Sequence, residues 1–101
     1  MFKLKADPTF SAKVAFPVPG GASVDVSLTF KHRTKVDLGK WLEGRGDRSD
    51  VETFLEMVEG WALDEPFNKE NVQILLDHHI GVALATYQVY IDELTRHREK
   101  N

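Results

Sequence analysis

Val24-Asp25-Val26-Ser27-Leu28-Thr29-Phe30-Lys31 alternates apolar with polar residues without a break, and such a period lays the apolar side chains on one face of a β-strand. Just upstream, Pro19-Gly20-Gly21-Ala22-Ser23 supplies turn residues, and before them Val14, Phe16 and Val18 alternate with Ala15 and Pro17. The two runs read as an antiparallel β-hairpin with one apolar face. Pro17 and Pro19 lack the amide donor that a central strand needs, so the first strand is expected to lie at a sheet edge or to end there.

Near Arg33 the period becomes helical. Thr34 can cap a helix over 35–43, with Asp37 completing a weak capping box and Val36, Leu38, Trp41 and Leu42 facing inward. Gly44-Arg45-Gly46 ends it. Ser49 and Glu52 form a fuller capping box ahead of Val51, Phe54, Leu55 and Val58, which predicts a helix from Asp50 to about Gly60. Leu63 to Phe67 reads as loop, and Pro66 breaks the pattern there. Asn68 can cap a third helix, with Val72, Leu75, Leu76 and His79 on one face, up to a break near Gly81.

The last helix, about Val82 to Arg98, carries two stripes: Leu84, Tyr87, Ile91 and Leu94, and beside them Val82, Ala85 and Val89. Such a helix belongs at a domain centre or keeps one side for a partner. The fold class expected is therefore α+β: an N-terminal antiparallel β-hairpin region, residues 1–33, packed on a C-terminal set of about four α-helices, residues 34–101. The whole chain, 1–101, reads as a single domain.

Composition agrees with a globular domain, since 42% of the 101 residues are hydrophobic and no cysteine is present. Without cysteine there is neither a disulfide framework nor a thiolate for zinc, and a reducing compartment is the natural one. The N-terminus has no apolar signal region and no run is long enough to span a bilayer, so neither export nor membrane partners are expected. Net charge is −3, but residues 1–50 carry nine Lys/Arg against six Asp/Glu, and residues 51–101 carry four against ten. Nucleic acid is a poor partner for the acidic half, because neutralising phosphates takes clustered cations. Lys31-His32-Arg33-Thr34-Lys35 is the one dense basic run. It reads either as a small patch for phosphate or an acidic partner, or as a strand exit kept soluble by charge.

Catalytic signals are weak. His78 and His79 are adjacent, so on a helix they diverge, whereas metal ligands favour i and i+4. Glu93 and His97 have that spacing but sit on an exposed tail. Arg45-Gly46-Asp47 spells an adhesion tripeptide, yet without an export signal it reads as a turn. The glycines at 44 and 46 lie between helices with no Gly-Lys-Ser/Thr after them, and no serine sits in a G-x-S-x-G elbow. Only carboxylates would remain to build an enzyme. No catalytic, cofactor or metal site is expected.

Phe2-Lys3-Leu4, Asp7-Pro8-Thr9-Phe10, the Val14-to-Pro17 strand with Gly20-Gly21, and Val26-Ser27-Leu28-Thr29-Phe30-Lys31-His32-Arg33 resemble the N-terminal pattern of small tail assembly chaperones of long-tailed bacteriophages and prophages. Trp61, Leu63 and Glu65-Pro66-Phe67 ahead of a helix pair match the same pattern. The resemblance implies a non-catalytic protein of the host cytoplasm that keeps the long, helical tape-measure protein soluble until tail-tube subunits polymerise around it, and that is absent from the virion. Many such families are made in two lengths by a ribosomal frameshift. Glu99-Lys100-Asn101 is encodable as GAA-AAA-AAC, which contains the slippery run that such an event uses.

The alternative is a small cytoplasmic adaptor or regulatory domain that binds one folded partner, with the last helix available to form a homodimer, a homo-oligomer of the chain. Trp61, Phe67 and Tyr90 are the candidates for partner contact, because aromatic side chains dominate interface energetics. For these residues, and for Trp61 above all, a core position is the competing assignment.

Overall fold

The computed structural model describes residues 1–96. The alternating run forms β2 (Val24–Lys31), paired antiparallel with β1 (Thr9–Phe16) so that Phe10 lies opposite Phe30 and Val14 opposite Val26. β1 starts ahead of Val14, since Phe10 and Ala12 extend the inward face. It stops before Pro17, and Gly20, with φ of 77°, takes the left-handed position in the connecting turn. Four helices follow: α1 (Lys35–Glu43), α2 (Asp50–Met57), α3 (Lys69–His78) and α4 (Val82–Thr95). Arg45-Gly46-Asp47 forms a single 3-10 turn between α1 and α2.

The helical spacing of the sequence extends α2 to about Gly60, and here the structure differs. The helix ends at Met57, and Val58–Trp61 forms a third strand, β3, antiparallel to β2. The sheet order is β1-β2-β3, which puts β1 at an edge, as its flanking prolines require, and β2 in the middle. Two side chains from the end of β2 account for the early stop. Lys31 Nζ donates to the carbonyl of Leu55 at 3.1 Å and Arg33 Nη1 to that of Glu56 at 2.6 Å. Cations on the last carbonyls of a helix supply missing donors and oppose its dipole. Val58, β-branched, then turns extended, and a bulge between Thr29 and Phe30 lets Val58 pair with Phe30 and Gly60 with Thr29. Lys31 and Arg33 of the basic run thus serve the fold.

One sheet face is covered by helices, and Val14, Leu28, Phe30, Phe54, Val58, Val72 and Tyr90 are fully buried between the layers. Two inward assignments fail. Val36 on α1 is exposed, Trp41 being the one buried residue of that helix. On α4 the buried line is Val82, Thr86 and Tyr90, at i, i+4 and i+8. Val82 comes from the second stripe, the other stripe residues become half-buried flanks on either side, and Leu84 is left in solvent. The pattern misleads because the middle of the true face is a threonine. The described part of α4 ends at Thr95, with Arg96 in left-handed conformation as its cap. His97 and the Glu99-Lys100-Asn101 proposal lie outside the described residues.

The capping assignments hold at atomic level. Thr34 Oγ1 accepts from the amide of Asp37, Asn68 Oδ1 accepts from that of Asn71, and Ser49 and Glu52 exchange both bonds of a capping box. The bonds from Ser49, its backbone amide foremost, hold the Glu52 carboxyl below its ordinary value. A carboxylate lowered in the folded state contributes stability above its unfolded pKa, and loses it as the pH falls through the folded value. Ser49→Ala should cost about 1 kcal/mol in urea unfolding near neutrality. Glu52→Gln should lose less stability than the parent on acidification, and parallel losses in the two chains would mean that the box is not formed.

Candidate partner-binding groove

Trp61, the last residue of β3, lies across from Leu28 of β2. Its indole N–H donates to the carbonyl of Glu65 at 2.7 Å, which folds the following loop back over the ring. Phe67 meets that ring edge-on, with centroids 5.1 Å apart and planes at 90°. Asn71 Nδ2 donates to the carbonyl of Pro66 at 2.7 Å, tying the loop to the first turn of α3. Between this loop, α3 and the turn end of the hairpin runs an open groove of about 450 Å³.

The groove exists because the apolar face of β2 extends past its helical cover. Phe30 and Leu28 are fully buried and Val26 nearly so, but Val24, on the same face, is 54% exposed. From the other wall α3 presents Ile74, 52% exposed. Trp61 and Leu63 line it from β3 and the loop that follows, and His78 and His79 from the end of α3. Trp61 and Phe67, both half-buried, are therefore brought together, with Trp61 lining the groove and Phe67 bracing its ring. Val24 and Ile74 escaped the sequence reading. Val24 shares the apolar face of its strand with core residues, and Ile74 falls off the Val72-Leu75-Leu76 stripe, which is the one local signal for it.

Tyr90 belongs elsewhere, and its assignment to partner contact is corrected by its complete burial. Its ring stacks with those of Phe30 and Phe10 at 5.4 and 6.1 Å and meets the edge of Trp41 at 5.6 Å. Its hydroxyl donates to the carbonyl of Lys31 at 2.7 Å and accepts from Arg33 Nη1 at 2.8 Å. Burial pushes the phenol above its ordinary pKa, and the Arg33 guanidinium opposes that shift. The same Arg33 lies 4.8 Å over the Trp41 ring, whose N–H donates to Glu56 Oε1 at 2.7 Å. Arg48 completes the group, binding Glu56 Oε1 through Nε at 2.7 Å and the carbonyl of Trp41 through Nη1 at 2.7 Å. This network locks α1 and α2 to the end of β2.

A second hollow, about 240 Å³, opens beside α4 between Arg45, Ile80, Leu84 and Tyr87, with the Arg45 guanidinium 4.4 Å over the Tyr87 ring. Among the described residues no group of three or more His, Asp or Glu side chains could hold a metal ion. No described helix is long and apolar enough to cross a membrane. What the main groove can do is bury apolar side chains of another molecule.

No curated protein and no solved structure matches the chain. A family model described as phage tail assembly chaperone matches residues 1–101, the chain from end to end. An α+β domain with an open apolar groove suits a protein whose work is to hold another, and the chain belongs to the phage tail assembly chaperone family.

Proposed function

We propose that this chain binds the tape-measure protein through the groove between α3 and the hairpin turn and keeps it soluble, in the host cytoplasm, until the tail tube forms around it. The observation that carries the reading is the pair Val24 and Ile74, two large aliphatic side chains half in solvent on facing walls, in a chain of the assembly chaperone family. A groove of this kind takes the apolar side of an amphipathic helix. By mass action, covering that side lowers the concentration of client free to aggregate. Tail-tube protein is a second tail partner consistent with the family, and the role asks for no bond to be made or broken.

Co-expression tests the reading. A tape-measure fragment that pellets alone should stay soluble and co-purify with the chain. Val24→Asp and Ile74→Asp, both at half-exposed positions, should remain folded by circular dichroism and lose most of the bound fragment. Retention by both folded variants would move the client off the groove, and a wild-type chain that captures no fragment would leave the adaptor reading ahead.

A further inference from the structure

The groove has walls of unequal charge. The hairpin contributes only apolar side chains, Phe16, Val18, Val24 and Val26. The opposite wall comes from the stretch 61–79, where Asp64, Glu65, Glu70 and Asp77 are exposed against the single Lys or Arg, Lys69, and where His78 and His79 also line the groove. Glu65 lines the groove itself. Asp77 accepts a hydrogen bond from Gln73 at 3.0 Å on the exposed side of α3, a contact that leaves its charge unneutralised. No salt bridge engages any of the four acids among the described residues. An occupant therefore meets apolar surface and the Glu65 carboxylate in the groove, with Asp64, Glu70 and Asp77 exposed on the same loop and helix.

We propose that the groove selects an amphipathic helix whose apolar stripe is bordered by lysine or arginine, and rejects one bordered by acids. This rests on the groove being the client site and adds the chemistry by which it chooses among helical segments. The apolar contact supplies affinity, and charge sets which segment is accepted and in which orientation, because like charges facing one another across an interface are disfavoured. A few exposed ion pairs, each modest, together amount to roughly tenfold in affinity.

Two synthetic helical peptides test this, sharing one leucine stripe at i, i+3, i+4 and i+7 and differing only in flanks of lysine or of glutamate. Titrated into the full chain, the lysine peptide should bind about tenfold more tightly at low salt, and the advantage should shrink as salt screens the flanks. A chain carrying Asp64→Asn, Glu65→Gln, Glu70→Gln and Asp77→Asn should bind both peptides alike. Equal binding to the wild-type chain, tighter binding of the glutamate peptide, or a preference that salt does not weaken overturns the proposal, and the salt series needs no variant to fold. The tape-measure fragment separates this from the function itself. If the fragment is retained while the peptides bind equally, the charge rule fails and the client reading stands. If the lysine peptide is preferred while the fragment is not retained, the rule stands and the client is another helical protein.

Discussion

Phe30→Asp is expected to leave the chain largely unfolded under conditions where the parent is native. Phe30 has no exposed surface, lies opposite Phe10 in the hairpin, and stacks on Tyr90 with ring centroids 5.4 Å apart. The substitution removes that aromatic packing and puts a carboxylate in a fully buried position. Arg33, the nearest guanidinium in this network, is already committed to the Glu56 carbonyl and the Tyr90 hydroxyl. Loss of a buried phenylalanine costs about 3–5 kcal/mol, and an unpaired buried charge adds to it. Against a total of roughly 5–15 kcal/mol for a domain, little would remain. Urea unfolding measures this directly, and a midpoint equal to the parent's would mean that the β2 face is not the one packed on the helices.

The hairpin and the helix starts were legible because their causes are local. Alternation along Val24–Lys31 decides a face, and Ser49 with Glu52 closes a box within one turn. β3 was not legible, because Val51, Phe54, Leu55 and Val58 keep helical spacing through its first residue. What ends α2 comes from Lys31 and Arg33, 24 and 23 residues upstream of the carbonyls they bind. Tyr90 was misplaced for the same reason, its polar partners being 57 and 59 residues away. The groove shows the limit from the other side. Val24 obeys the strand pattern as well as Val26 does, and no local signal records that the helices stop short of it.

Tyr90 carries the second large effect, and two substitutions divide it. Tyr90→Ala deletes a ring in contact with Phe10, Phe30 and Trp41 and should cost about 3–5 kcal/mol, enough to leave the fold marginal. Tyr90→Phe keeps the ring and removes only the hydroxyl, so the Lys31 carbonyl loses its donor and Arg33 one of its two acceptors. That change should cost about 1–3 kcal/mol at neutral pH. The two variants differ further in alkali. Because burial raises the phenol pKa in the folded chain, the hydroxyl's contribution is complete below the unfolded value, about 10, and is lost as the pH climbs through the folded one. The parent should therefore lose stability in that window while Tyr90→Phe does not lose that part, and the gap between them should narrow. Unfolding curves at neutral pH and above pH 10, read with tyrosinate absorbance, test both halves. A gap that stays constant would mean that Tyr90 ionises as easily in the folded chain as in the unfolded one, contrary to a hydroxyl buried in the core. A narrowing gap would mean that burial keeps the Tyr90 hydroxyl protonated where α4 closes over the sheet, against the pull of Arg33 in the other direction.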